Sequence, residues 1–161
     1  MKKSVCLLFL LGAVISTWAY PSGAPPNLVC DSMAVKHGIH DPQSSKIPYT
    51  VSIVQPDLSP EEETDIIISG DDFKGFFIQV RSGDKAVGSF VTSPEYQDYQ
   101  TMTCHNHRDS AAIQNDASVK KKVILRWKAP QEKGELKVYI TMVKEFATFW
   151  NKIEAGTLRV K

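Results

Sequence analysis

Residues 121–130, KKVILRWKAP, decide the fold class, because apolar and polar side chains alternate along them. Val123, Leu125 and Trp127 fall on one side of an extended chain, and a basic residue follows each of the last two. A period of two indicates a β-strand with one buried face. Pro130 ends the pattern, since proline cannot donate a hydrogen bond to a neighbouring strand.

Short stretches of the same kind recur along the chain, separated by turns rich in glycine, proline and aspartate. They are YTVSIVQ at 49–55, TDIIISG at 64–70, FKGFFIQVRSG at 73–83, AVGSFVT at 86–92, TMTCHN at 101–106, GELKVYITMVKEF at 134–146 and GTLRVK at 156–161. Only residues 143–156, VKEFATFWNKIEAG, have a helical pattern, and residues 107–119 are typical of a polar, turn-rich loop. The sequence therefore predicts an all-β protein, an antiparallel β-sandwich.

The first 19 residues predict a secretory signal peptide. Lys2 and Lys3 precede an apolar run over residues 5–15, and small side chains precede a cut after Ala19. The run is shorter than the roughly 20 apolar residues that span a bilayer, so no membrane span is expected. Removal of 19 from 161 residues leaves 142, enough for one domain with a sizeable core. We expect the protein to be secreted and extracellular.

Export also decides how the cysteines are interpreted. Cys6 leaves with the leader, and Cys30 and Cys104 remain as one pair in an oxidising compartment. We expect them to form a disulfide that closes a loop of about 75 residues, with two unpaired thiols as the alternative.

The histidines flank the two cysteines in sequence. His37 and His40 follow Cys30, and His105 and His107 follow Cys104. A zinc or copper site built from the four imidazoles is a weak candidate, because sequence spacing alone does not show that they converge. The interpretation we favour is polar histidines in loops near a crosslink, with no metal and no cofactor.

The composition and motifs argue against several function classes. Loss of Lys2 and Lys3 lowers the 19 basic residues to 17 against 18 acidic ones, a balance that gives no reason to expect a nucleic-acid partner. No serine-hydrolase elbow, zinc-protease motif or phosphate-binding loop is present, so we expect no enzyme activity.

Two features suggest ligand contacts. Lys120, Lys121 and Lys122 form a basic run that could attract phosphate groups, although lysines at a sheet edge also discourage aggregation. Phe77 points away from its apolar neighbours on the strand, and is either covered by another element or exposed in a binding patch. Trp150 is the second aromatic candidate, and Trp127 is expected in the core, against the disulfide if the sandwich is immunoglobulin-like.

Seven stretches, taken in order, resemble the reeler domain. They are CDSMAVKHG, PYTV, DDFKGFFIQVR, GSF, TMTCHN, VILRWKAP and GELKVYITMVKEFATFW. The domain begins reelin and F-spondin and stands alone in small secreted insect immune proteins of the noduler-like kind. Two positions depart from the family pattern: Val35 stands where proline is frequent, and Ile113–Gln114 stands where Thr-His is frequent. Because Gln114 replaces the frequent histidine, the resemblance gives less support to a metal-binding role.

The resemblance implies an Ig-like β-sandwich over residues 20–161, with Cys30 bonded to Cys104. It also implies a secreted, non-enzymatic innate-immunity protein that binds microbial surface polysaccharide or lipopolysaccharide, β-glucan or blood cells, with an antibacterial or nodulation role. The alternatives are an extracellular-matrix adhesion module, a carrier of small apolar ligands, or a metal-dependent enzyme built on the four histidines.

Overall fold

The computed structural model describes residues 29–161, and the predicted signal peptide lies outside this range. Its secondary structure is entirely β. The strands are β1 (Tyr49–Ile53), β2 (Asp57–Leu58), β3 (Glu63–Phe73), β4 (Gly75–Ser82), β5 (Lys85–Ala86), β6 (Ser89–Val91), β7 (Tyr99–Cys104), β8 (His107–Gln114), β9 (Lys120–Lys128), β10 (Gly134–Glu145) and β11 (Thr148–Val160). No helix in the described part of the chain is long and apolar enough to cross a membrane.

The strands form two sheets. One has four strands in the order β1-β3-β9-β6, and the other has six in the order β2-β11-β10-β4-β8-β7, with β5 added on β4. Every pairing is antiparallel except the short contact between β2 and β11. The predicted β-sandwich is confirmed.

The main core lies between the sheets and is built by the alternation seen in the sequence. Val123, Leu125 and Trp127 of β9 face Ile78 and Val80 of β4, and all five are fully buried. Burial of aliphatic and aromatic side chains of this size stabilises by roughly 1.5 to 3 kcal/mol each.

A second, smaller cluster lies on the other face of the seven-stranded sheet. It contains Phe77, Ile113 and Met33 together with the two cysteines. Trp127 belongs to the main core, so the expectation that it packs against the disulfide is wrong. Trp127 faces the space between the sheets, whereas the disulfide lies on the outer face of the seven-stranded sheet, so that sheet separates the two features.

Two secondary-structure predictions are also wrong. Residues 143–156 form the hairpin between β10 and β11, where three register shifts break the period of two and produce a helix-like spacing of apolar residues. Residues 107–114 form β8, an interior strand whose small buried residues Ser110, Ala111 and Ala112 carry little strand propensity. Pairing with β4 and β7 outweighs that weak propensity.

Candidate functional site

The predicted disulfide is confirmed. Cys30 and Cys104 are bonded, with α-carbons 5.5 Å apart and a separation of 74 positions in sequence. Both are buried. The bond fastens residues 29–36, which we call the N-terminal strap, to the end of β7 on the outer face of the seven-stranded sheet.

Side chains of that sheet, rather than a partner strand, hold the backbone of the N-terminal strap. The Cys30 carbonyl accepts hydrogen bonds from the amide of Gln79, at 3.2 Å, and from the guanidinium of Arg81. The Met33 carbonyl accepts one from the hydroxyl of Thr141. All three donors are buried. The strap is thus fixed covalently at Cys30, and sheet side chains hydrogen-bond its backbone at Cys30, Asp31, Met33 and Val35.

Arg81 is a buried cation beneath the disulfide. Its Nε donates to the amide oxygen of Gln79 at 2.7 Å, its Nη2 donates to the Asp31 carbonyl at 3.1 Å, and its guanidinium lies 5.7 Å from the ring centre of Tyr139. Burial lowers the pKa of Arg81. Neutral acceptors satisfy this charge, and a buried charge left without them is costly. Arg81 therefore helps to hold the strap in place, and the strap carbonyls compensate the buried charge of Arg81.

His105 has a structural role beside the disulfide. Its Nδ1 accepts a hydrogen bond from the backbone N–H of Ala86 at 2.9 Å, and its Nε2 lies 2.9 Å from a carboxylate oxygen of Asp31. The first contact requires an unprotonated Nδ1, so the proton is on Nε2, and this N–H donates a hydrogen bond to the carboxylate of Asp31. Both ring nitrogens are thus occupied within the protein.

His37 and His40, the two metal-ligand candidates that follow Cys30 in sequence, lie against the turn between β10 and β11. His37 stacks on Phe146 with ring centres 4.9 Å apart, and its Nδ1 lies 2.7 Å from the Phe146 carbonyl oxygen. His40 meets the same ring edge-on at 5.6 Å. Within residues 29–161 no three histidine, cysteine or acidic side chains converge as metal ligands.

The two aromatic ligand candidates are inside the protein. Phe77 and Trp150 are each 5% exposed. Phe77 lies under the N-terminal strap, and the Trp150 indole N–H donates to the Ser45 carbonyl at 3.0 Å. A surface polymer cannot reach either ring, so their prediction as direct contacts is wrong. The sequence left open whether Phe77 is covered or exposed; the structure covers it with a coil that is fixed by a distant cysteine.

The basic run is largely engaged. Lys120 is buried, and its ammonium group lies 2.8 Å from Asp116, whose pKa is lowered chiefly by this hydrogen bond. Lys121 is exposed and lies 3.6 Å from Asp72. Lys122 is exposed and forms no ion pair with the described residues. Lys121 and Lys122 stay predicted contacts, whereas the ammonium of Lys120 is turned inward.

A cleft of about 290 Å³ lies at one end of the sandwich, and sequence patterns gave no signal for it. Its polar lining is Ser82, Lys85, His107, Glu132 and Lys133; we call it the basic cleft. The turn between β4 and β5, the start of β8 and the connection between β9 and β10 supply these residues. They are far apart in sequence, and the sheet topology brings them together.

Apolar groups form the floor of the basic cleft. Val87, Pro130 and Leu136 line it, and Gly88 lies beside the indole of Trp127. A methyl group at Gly88 would lie 2.6 Å from the Lys128 carbonyl oxygen and closer still to the indole ring. Because Gly88 has no side chain, the backbone can pack directly against the indole of Trp127, and it forms part of the floor of the basic cleft.

Comparisons with known proteins agree with this architecture. The family model of the Reeler domain matches residues 28–161. The human F-spondin reeler domain superposes with a TM-score of 0.61 at 16% identity, over 76% of this chain and 95% of that one. At that identity the likeness concerns the fold.

Relatives of similar length carry defence names. The chain is 31% identical to "Putative defense protein Hdd11-like" of Samia ricini, over 91% of both chains. It is 30% identical to "Putative defense protein 3" of Antheraea mylitta, over 96% of this chain and 94% of that one. It is also 29% identical to "Ferric-chelate reductase 1" of Mus musculus, of which it spans 26%. The chain belongs to the Reeler domain family, together with these insect proteins.

Proposed function

We propose that the protein is a secreted defence protein, a non-enzymatic module that binds polymers of microbial surfaces such as lipopolysaccharide or β-glucan. The observation that carries the proposal is the near end-to-end match with insect proteins named for defence. The reductase name is not carried over, because it belongs to proteins of which this domain makes up about a quarter.

Secretion is supported by two independent features. The buried disulfide between Cys30 and Cys104 needs an oxidising compartment to form and persist. Residues 1–19 have the pattern of a cleaved leader. Expression of the full chain in insect cells tests this part: we expect the protein in the medium, beginning at Tyr20. Retention inside the cells with free thiols would contradict it.

Binding is tested with immobilised lipopolysaccharide, peptidoglycan and β-glucan at low and high salt. We expect capture by at least one of these polymers, weakened by salt where phosphate groups take part, because salt screens exposed charges. A reduced and alkylated sample serves as the matched control for fold-dependent binding. Failure to bind any microbial polymer, together with no rise in the secreted protein after bacterial challenge, would reject the proposal.

An adhesion module is the second candidate, and exposed apolar side chains at one turn favour it. Ile39 is 94% exposed and Phe146 is 63% exposed. Phe146 packs against both neighbouring histidines of the Ile39 turn. Loss of blood-cell attachment in an Ile39→Ser/Phe146→Ser variant that still binds microbial polymers would support adhesion instead.

A further inference from the structure

We infer that the basic cleft binds a phosphorylated sugar, such as the phosphate-bearing sugar units of a microbial surface polymer. The inference rests on the proposed function and assigns it to a site other than the lysine run at 120–122. Its support lies in the charge, the donors and the shape of the cleft.

The charges of the cleft are available. Neither Lys85 nor Lys133 forms an ion pair with a residue in the range 29–161, in contrast to Lys120 and Lys121. Glu132 is the one acidic side chain among the lining residues, against the two lysines, so the cleft is net positive without any contribution from His107. A cleft with low-dielectric walls focuses such a potential on an anion inside it.

The donors of the cleft suit a phosphate group. Each ammonium group offers three N–H donors, and Ser82 adds a hydroxyl. Phosphate oxygens accept several such charge-assisted hydrogen bonds at once. The three donor residues come from two separate segments of the chain, since Ser82 and Lys85 flank the β4–β5 turn and Lys133 precedes β10.

The shape of the cleft suits one sugar attached to the phosphate. Its volume of about 290 Å³ lies at the lower end of the range for small-molecule sites. Val87, Pro130 and Leu136 provide apolar contacts for the C–H face of a ring. A single phosphorylated unit therefore fills the cleft, and the rest of a polymer extends into solvent.

Glucose 1-phosphate is the probe, with glucose and inorganic phosphate as separate arms, and calorimetric titration of the full mature protein is the measurement. We expect binding of glucose 1-phosphate, and weaker binding of either half alone, because each half uses only part of the lining. Equal affinity for inorganic phosphate would overturn the sugar assignment. No binding of any of the three would overturn the site.

Two matched variants locate the site. Lys85→Gln/Lys133→Gln should lose at least about tenfold in affinity, since hydrogen bonds to charged groups are worth about that factor each. Lys46→Gln/Lys74→Gln removes the same charge from exposed side chains outside the cleft and should change affinity by less than about twofold. Glu132→Gln should raise affinity by about twofold. Equal losses in both lysine pairs would show nonspecific attraction and reject the cleft.

The same variants separate this inference from the proposed function. If the wild type binds lipopolysaccharide and Lys85→Gln/Lys133→Gln binds it equally well, the cleft assignment fails and the defence function stands. If the wild type binds glucose 1-phosphate through the two lysines but captures no microbial polymer, the cleft stands and the proposed function fails. Unfolding curves of each variant confirm that it is folded.

Discussion

Phe77 and Met33 lie in one buried cluster on the outer face of the seven-stranded sheet, away from the main core. Met33 belongs to the N-terminal strap and Phe77 to β4, and the disulfide between Cys30 and Cys104 joins the two layers. Without the strap, a large apolar side chain would face solvent. The crosslink therefore completes the burial of one face of the fold.

Removal of the crosslink tests this role. We expect Cys30→Ser/Cys104→Ser to lose roughly 4 to 5 kcal/mol of unfolding free energy, because the bond joins residues 74 positions apart and restricts the unfolded chain. The measurement is urea unfolding of the variant beside the oxidised wild type. The variant should also bind a hydrophobic dye in the native baseline, since the strap is loosened over Phe77. A variant as stable and dye-free as the wild type would show that hydrogen bonds alone hold the strap.

Truncation of Phe77 tests the cluster itself. We expect Phe77→Ala to cost about 3 to 5 kcal/mol, as is typical when a buried aromatic ring is deleted and leaves a cavity. Phe146→Ala is the matched control, because its ring is 63% exposed and its loss should cost about 1 kcal/mol or less, from its contacts with His37 and His40. Similar losses in both variants would contradict the assignment of Phe77 to a buried cluster.

The sequence predicted the sandwich because its core strands keep a strict period of two. Val123, Leu125 and Trp127 on β9 follow it, and their burial is confirmed. The prediction failed at β10 and β11, where bulges change the period, and at β8, where Ser110 and its alanine neighbours form an interior strand through pairing alone. Tertiary pairing is not visible in local propensity.

The candidate site was less predictable than the fold. The sequence identified the disulfide, because only two cysteines follow the predicted leader. It could not distinguish lysines that are paired within the protein from lysines that are available to a ligand. Lys120 is neutralised by Asp116 four residues earlier, whereas Lys85 and Lys133 line one cleft although they are 48 positions apart. Charge availability is a property of the packed structure.

Gly88 should be more sensitive to substitution than Gly83. Both have positive φ, at 67° and 58°, so an alanine at either position is strained by roughly 1 kcal/mol. At Gly83 the added methyl group meets no atom within 4 Å, but at Gly88 it collides with the Trp127 ring. We expect Gly88→Ala to cost about 1 to 3 kcal/mol more than Gly83→Ala in urea unfolding. Equal costs would mean that Trp127 moves aside freely.

Alkaline pH should destabilise the fold through two tyrosines. Burial raises the pKa of Tyr99 to about 12, and burial together with Asp71 and Asp72 raises the pKa of Tyr49 to about 12. In the unfolded chain both phenols ionise near about pH 10. Their stabilising contribution is therefore complete below about pH 10 and is lost as the pH rises through about 12.

The measurement is phenolate absorbance during a pH titration, combined with urea unfolding at several alkaline pH values. Two tyrosines of the folded protein should ionise late, and in urea all of them should ionise near about pH 10. Tyr99→Phe should be less stable at neutral pH, because the Tyr99 hydroxyl donates to the Val91 carbonyl and accepts from the Arg126 N–H. Its stability should then fall less steeply above about pH 10. Identical alkaline slopes for wild type and variant would contradict the burial of this phenol.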